Sequence, residues 1–479
     1  MVETTCHSDA LNSFSDKILR ILKGVLPTPF TIALILTLIA FLMAYFFARP
    51  SDKNSIEYLG EMLHWWNDGM WNPAMLAFTV QMMLVLVLGH IIAISFPVNR
   101  FLDKAVGALC KNGPMAAFSI TLLTITVAWF NWGLGLIFGA IFVRKTGEYA
   151  VKNNVAVNYG LLGACGYSGL MVWHGGISGS STSKVAESGH LKSLTAGNPE
   201  IADSLPDLIT FSDTVFSSTN LWVSLLLLFI LPVFMYAVAR KTKNEVPVLN
   251  FSTSTTKEDN TIHSGAEKVD YYSQSARIIG VLIISISVYL AISARATESF
   301  GFITPNWLNL FLLGIGLVVH GSIANFINAG DNAISGAAGI LLQFPLYFGV
   351  MGLMSSSGLV AQIADVFVEL SKTSGNPAST FPFLSFLSAS FLNIFIPSGG
   401  AQWAVQGPII VQGAVELGLA LPKNILALAY GDQLTNMLQP FWALPLLGIT
   451  GLKAKEILPY SILLMLIGFI IFSIGLLFL

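Results

Sequence analysis

One carboxylate stands alone in the apolar parts of this sequence. Across every stretch apolar enough to cross a bilayer, Asp432 is the sole Asp, Glu, Lys or Arg. A charge at mid-membrane costs about 2.5–3.5 kcal/mol on insertion scales, so an idle one is not expected there. Two uses fit: a ligand for a coupling cation, Na⁺ or H⁺, or a buried acceptor that holds a helix break. Gln433 and Asn436 follow it, and Asn393 lies in a separate polar break. Each amide can lend an oxygen to that cation or cap freed backbone groups.

The same stretches hold no Lys or Arg, so any anion bound there would have to be met by backbone N–H groups, hydroxyls, helix N-termini or a bound cation. Pro397-Ser398-Gly399-Gly400 offers such a place. Pro favours the first helical position, and glycines let a backbone approach a ligand closely. A helix running on from Ala401 would aim free N–H groups and its positive dipole end at an anion. The other use of such a cluster is a packing kink. Asn131, Trp132 and Gly133 form an equivalent earlier break. Trp132 and Trp403 stand beside the two breaks, where an indole can wall an apolar pocket or anchor at the interface. Gln402, Gln406, Thr435 and Gln439 add polar lining, and Ser178–Ser183 falls at a mouth or in an outer loop. His90, His174 and His320 are scattered without metal-ligand spacing and read as satisfied polar residues. No cofactor and no metal beyond Na⁺ is expected.

The elements that position these residues must be membrane helices. The 479 residues are 54% hydrophobic and only 10% charged, with mean hydropathy +0.71. Such a chain lacks polar surface to face water, so lipid is its expected partner. A net charge of −2 excludes a broad basic field for nucleic acid. The three cysteines are scattered and read as unpaired. Nine stretches meet the length of a spanning helix: 27–48, 75–95, 155–173, 220–239, 278–294, 307–328, 333–355, 424–450 and 457–479. Two more, 115–143 and 380–411, are broken midway at Asn131 and at Asn393–Gly400, and read as re-entrant hairpins. Residues 1–26 show helical spacing of Leu11, Phe14, Ile18, Ile21, Leu22 and Val25, which suggests an interfacial helix rather than a cleaved signal.

Threading these spans from inside leaves 17 Lys and Arg on one side and 7 on the other, all 24 accounted for. Cytoplasmic loops carry the excess, so the N-terminus is expected inside and the C-terminus outside. The polar run 241–277 reads as a cytoplasmic linker between halves 27–240 and 278–479. Asn131 precedes Tyr167 by 36 residues and Asn393 precedes Tyr430 by 37. With 278–294 as an extra span, the second half would be an inverted copy of the first, a recurrent transporter plan. The expected fold is therefore an all-α polytopic membrane protein, about nine transmembrane helices plus two hairpins in an inverted repeat.

Three segments then carry a specific likeness: WFNWGLGLIFGAIF (129–142), FLNIFIPSGGAQWAVQGPII (391–410) and LAYGDQLTNMLQPFWALPLLGITGL (428–452). The chain closely resembles the bacterial short-chain fatty acid transporter family, from the first span to the C-terminus. That resemblance implies uptake of short-chain monocarboxylates such as acetoacetate or butyrate across the cytoplasmic (inner) membrane. It also implies kinship with anion carriers that use paired re-entrant hairpins and are often homodimers. A secondary active transporter, by symport with Na⁺ or H⁺, is the expectation. A dicarboxylate carrier or an anion channel is the alternative. An enzyme is not expected, because the chain lacks HExxH, GxSxG and a second intramembrane acid.

Overall fold

The computed structural model describes residues 27–196, 198–248, 265–298, 302 and 304–478. The expected interfacial helix at 1–26 lies outside the described residues, as does the middle of the linker. Among those described, the chain is helical, with one isolated antiparallel bridge between Val157 and Glu245.

The first half runs α1 (Pro29–Phe47), α2 (Ser55–Met70), α3 (Pro73–Ile94), α4 (Phe96–Leu109), α5 (Gly113–Phe130), α6 (Trp132–Lys152) and α7 (Tyr159–Tyr167). A 3-10 turn, Ser168–Met171, closes α7. Three short helices follow, α8 (Ser180–Lys184), α9 (His190–Leu194) and α10 (Pro199–Ser204), before the long α11 (Ser218–Lys241). After the linker come α12 (Lys268–Tyr271), α13 (Ser273–Glu298), α14 (Pro305–His320), α15 (Ile323–Ala333) and α16 (Ala338–Ser356). The chain continues with α17 (Leu359–Lys372), α18 (Pro377–Asn393), α19 (Gly399–Glu416), α20 (Leu421–Thr435), α21 (Pro440–Thr450) and α22 (Ala454–Phe478).

The helix starts follow from capping chemistry. Asn72, Asn112, Asn131 and Asn158 each accept a backbone N–H of their own first turn, and Pro73 and Pro114 supply the fixed φ that suits that turn. Seven helical stretches among the described residues are long and apolar enough to span a membrane: α1, α2–α3, α5, α11, α13, α15–α16 and α22. Their outer faces stay bare, with Leu38, Phe46, Phe229, Val233 and Ile292 among the exposed side chains. Apolar belts of that length need lipid, and the protein is a multi-pass membrane protein.

Three features differ from the sequence expectation. The apolar stretches 155–173 and 424–450 are not continuous helices: α7 ends in a 3-10 turn, and α20 and α21 are parted by the turn Asn436–Leu438. The stretch 307–328 is cut at Gly321, which adopts φ +77°. Helices α2, α4 and α17 were not expected at all, because each is amphipathic and shorter than a span.

From α14 onward the chain runs through a short apolar helix, the α15–α16 stretch, the amphipathic α17, two helices about a break, the broken α20–α21 and the long α22, and α1 to α11 run in a similar order with α8–α10 inserted before α11. In the core, α18 packs on α20 so closely that a methyl group on Gly431 would lie 2.4 Å from the Phe386 carbonyl. That contact sets Asp432 beside Asn393.

Candidate functional site

Asp432 lies on the last turns of α20 and is 1% exposed. Neither carboxylate oxygen has a hydrogen-bond partner among the described residues. Beside it lies His174, whose Nδ1 stands 3.4 Å from Asp432 Oδ1. His174 is fully buried, in the segment that follows α7. The backbone N–H of Ser181 donates to His174 Nε2 at 3.0 Å. A backbone N–H can only donate, so Nε2 is an acceptor and the proton of the neutral ring sits on Nδ1, facing the carboxylate.

Gly399, the first residue of α19, completes the surround. A methyl group there would lie 2.7 Å from His174 Cε1, 2.8 Å from Trp173 Cη2 and 3.1 Å from Asp432 Oδ2. The start of α19 thus closes directly on the carboxylate, which feels the positive end of that helix. Ser398 caps α19 by accepting the Ala401 N–H, and Pro397 is buried behind it. Gly400 is exposed, with only Ser180 Oγ near its Cβ direction, at 4.0 Å.

The other break reaches the same segment. Asn131 caps α6 through the Leu134 N–H, and the Trp132 N–H donates to Ser178 Oγ at 2.9 Å. Gly133 is buried behind Asn131. The Trp132 ring meets Trp173 edge-on at 6.1 Å and Trp442 at 5.0 Å, while Trp173 stacks on His174 at 4.5 Å. Ser178–Ser180 therefore touches the starts of both α6 and α19, and a chain of rings leads from Trp132 to the His174–Asp432 pair.

The predicted amides divide by role. Gln433 Oε1 accepts the N–H groups of His174 and Gly175, so it ties α20 to the first half. Asn393 Nδ2 donates to the Asp432 carbonyl, to Thr435 Oγ1 and to Asn436 Oδ1, while its Oδ1 is buried without a partner among the described residues. Asn436 also gives its backbone carbonyl to the Tyr167 hydroxyl at 2.7 Å. Gln402 and Gln406 bond to each other and to α18. Trp403 points elsewhere: its Nε1 donates to His190 Nε2, and it packs in a satellite core with Val185, Leu191 and Ile410. The indole facing Trp132 is Trp442.

Sequence reasoning had dispersed His174 and placed Ser178–Ser183 at a mouth or outside. Ser181 and Thr182 are in fact fully buried at the centre. A polar run ending a span, Trp173-His174-Gly175-Gly176, was the signal available. Lys145 is likewise buried near the far end of α6, where its Nζ bonds to Asn99 Oδ1 and Glu148 Oε2 at 2.7 Å.

The profile of the short chain fatty acid transporter family matches residues 10–479. The chain belongs to the short chain fatty acid transporter family. It is 34% identical over 461 residues to an Escherichia coli (strain K12) protein named as a candidate short-chain fatty acid transporter, covering 95% of this chain and 97% of that one. A Haemophilus influenzae relative with the same name is 34% identical over 467 residues, covering 95% and 96%. Among solved structures, Neisseria gonorrhoeae MtrF, of a class of antimetabolite efflux pumps, aligns at 16% identity and TM-score 0.38, covering 96% of this chain and 98% of its own. The Alcanivorax borkumensis YdaH transporter aligns at 14% and 0.41, covering 94% and 96%. Superpositions this loose say nothing about the site. Family membership makes this chain a transporter of the short-chain fatty acid type.

Proposed function

We propose that the protein takes up short-chain monocarboxylates such as butyrate or acetoacetate across the bacterial inner membrane, coupled to a cation that neutralises Asp432. The carrying observation is that Ser178–Ser180 joins the starts of α6 and α19, and that α19 begins against a buried carboxylate with no hydrogen-bond partner among the described residues.

The α6 and α19 breaks read as the tips of two re-entrant hairpins, α5–α6 and α18–α19, in an inverted repeat. Irregular backbone of this kind suits membrane depth only where protein or a solvent-filled cavity satisfies it. The partly exposed rim of Trp132, Ser178, Ser180, Ser398 and Gly400 offers hydroxyls and backbone to a carboxylate head. Trp132 and Trp442 give its short tail an apolar wall.

Coupling follows from charge. Two unit anions about 6 Å apart at an effective dielectric of about 20 repel by roughly 3 kcal/mol, on the order of a 100-fold loss of affinity. An anion at this rim and an ionised Asp432 therefore exclude one another until a cation joins, and the joint binding of anion and cation is symport. The lack of Lys and Arg within the apolar stretches favours one negative charge on the substrate over two. Competition tests this in proteoliposomes: unlabelled butyrate, acetoacetate and propionate should suppress labelled acetoacetate uptake, and succinate should not. Equal suppression by succinate would move the assignment to dicarboxylates.

A further inference from the structure

We propose that the coupling ion is a proton, and that His174 and Asp432 form the single unit that binds it, one residue from each half of the chain. This rests on the carrier reading above and deepens it.

The surround of the carboxylate is the reason. What the structure sets against Asp432 is a ring N–H edge at Oδ1 and the start of α19 at Oδ2, with the His174 and Trp173 rings closing on the same Gly399. Na⁺ prefers a shell of oxygens, as hard cations do. The oxygens that the neighbouring side chains could have offered are committed: Gln433 Oε1 to two backbone N–H groups, Asn436 Oδ1 to Asn393, and Thr435 Oγ1 both to Asn393 and to the Ser390 carbonyl. The buried free oxygens of Asn393 and Gln439 are the best case for Na⁺, and the experiment below separates the two ions. A proton needs no shell. It needs one basic oxygen and a partner that accepts the change, and the imidazole 3.4 Å away is that partner.

The pair also has a mechanical link. With Nε2 occupied by the Ser181 N–H, a second proton on the ring would set two donors against each other. Proton arrival is thereby confined to the carboxylate, or else it dislodges Ser181, which is one residue after Ser180 beside Gly400 and three after Ser178 at Trp132. One proton passes from the outer solution to the Asp432 carboxylate, which goes from one negative charge to none, and passes to the cytoplasm after turnover. Two buried phenols, one on Asp432's own helix and one on α7, direct their hydroxyls into hydrogen bonds of their own. Tyr430 of α20 donates to Asn220 Oδ1, and Tyr167 of α7 donates to the Asn436 and Gln439 carbonyls. Among the described residues, no Lys, Arg or Glu makes an ion pair with either member.

The test uses the full-length protein in liposomes, with protein-free liposomes subtracted because fatty acids leak in their neutral form. Labelled acetoacetate is driven by an imposed pH gradient, by an imposed Na⁺ gradient, or by neither, while a trapped pH dye follows protons. Wild type should accumulate acetoacetate with the pH gradient alone and carry protons inward with it. His174→Gln and Asp432→Asn, checked by size-exclusion profile, should lose about tenfold or more of pH-driven accumulation and of the dye signal per acetoacetate carried, a coupling change of the usual allosteric size. Wild-type uptake that needs Na⁺ and ignores the pH gradient overturns the proposal while leaving the carrier reading intact. So does a folded His174→Gln with the wild-type pH profile. Should His174→Gln fail to fold, the wild-type ion dependence and the Asp432→Asn dye signal still decide. No uptake of any monocarboxylate by wild type overturns both readings together.

Discussion

Asn393 Nδ2 donates to the backbone carbonyl of Asp432 at 2.7 Å, and the Asn393 carbonyl in turn accepts from Gln439 Nε2. The last residue of α18 thus holds both flanks of the break between α20 and α21. The last carbonyls of a helix have no partner within it, and a break in a buried helix leaves such groups stranded. Asn393 meets that need with one amide. The carboxylate at the same residue, Asp432, is left to other purposes.

Replacing Asn393 with Leu, of similar size, should strand the Asp432 carbonyl and remove two further bonds. The expected loss is about 1–3 kcal/mol of stability, read as a lower unfolding temperature of detergent-purified protein. A Leu variant as stable as wild type but insensitive to the driving ion would instead make Asn393 an ion ligand.

Gly399 and Gly400 should respond differently to the same small change. A methyl group at Gly399 meets His174, Trp173 and Asp432 between 2.7 and 3.1 Å, whereas at Gly400 the nearest atom is 4.0 Å away. Gly399→Ala should lower uptake by about tenfold or more at normal protein levels, since displacements near 1 Å at a site cost roughly 100-fold in other systems. Gly400→Ala should transport nearly as wild type. Gly400→Leu should fail by filling the rim. Indifference at Gly399 would mean that the start of α19 does not abut the site.

Tyr430 and Asn220 join the two halves in one buried network. The Tyr430 hydroxyl donates to Asn220 Oδ1 at 2.9 Å, and Asn220 Nδ2 donates to the Gly175 and Val215 carbonyls. Tyr430→Phe should cost about 0.6–1.7 kcal/mol, the range found for side-chain bonds in membranes. Asn220→Leu should cost more, because a phenol and two carbonyls lose their partner together. A double-mutant cycle on thermal unfolding should return a coupling well above its error. Strict additivity would show that the pair does not interact.

Topology is open to a direct check. With Lys and Arg concentrated on one side, alkaline phosphatase fused at the C-terminus should be active and a fusion at residue 260 inactive. Activity at residue 260 would show that α5–α6 crosses the membrane rather than returning, and an inactive C-terminal fusion with residue 260 also inactive would show the same of α18–α19.

Much of the architecture was legible because lipid imposes one rule on sequence. Spans must be apolar for about 20 residues, so α1, α3, α5, α11, α13, α16 and α22 announce themselves. The break residues were legible for a related reason: Asn131 and Pro397–Gly400 are poor helix interiors inside otherwise apolar runs. Helices α2, α4 and α17 were not legible as separate elements, since an amphipathic helix below span length leaves no apolar window. His174 escaped because nothing local links it to Asp432; only the packing of α20 against the segment after α7 does. Trp403 was singled out for standing near a break in sequence, yet its position on α19 turns the ring toward His190. Trp442, which does face Trp132, sits two residues past the start of α21, and that helix was hidden inside a longer apolar stretch.

On the proposed mechanism this chain drives a short monocarboxylate uphill by way of a cation at Asp432. The most direct measurement is labelled acetoacetate inside proteoliposomes at steady state, with a cation gradient imposed and then collapsed, for wild type and Asp432→Asn side by side. The account predicts accumulation above the outside concentration for wild type, its loss on collapse, and its absence in Asp432→Asn, which should insert normally because an amide is cheaper than a carboxylate in lipid. Wild-type uptake that never exceeds equilibrium, or a folded Asp432→Asn that accumulates like wild type, would contradict it.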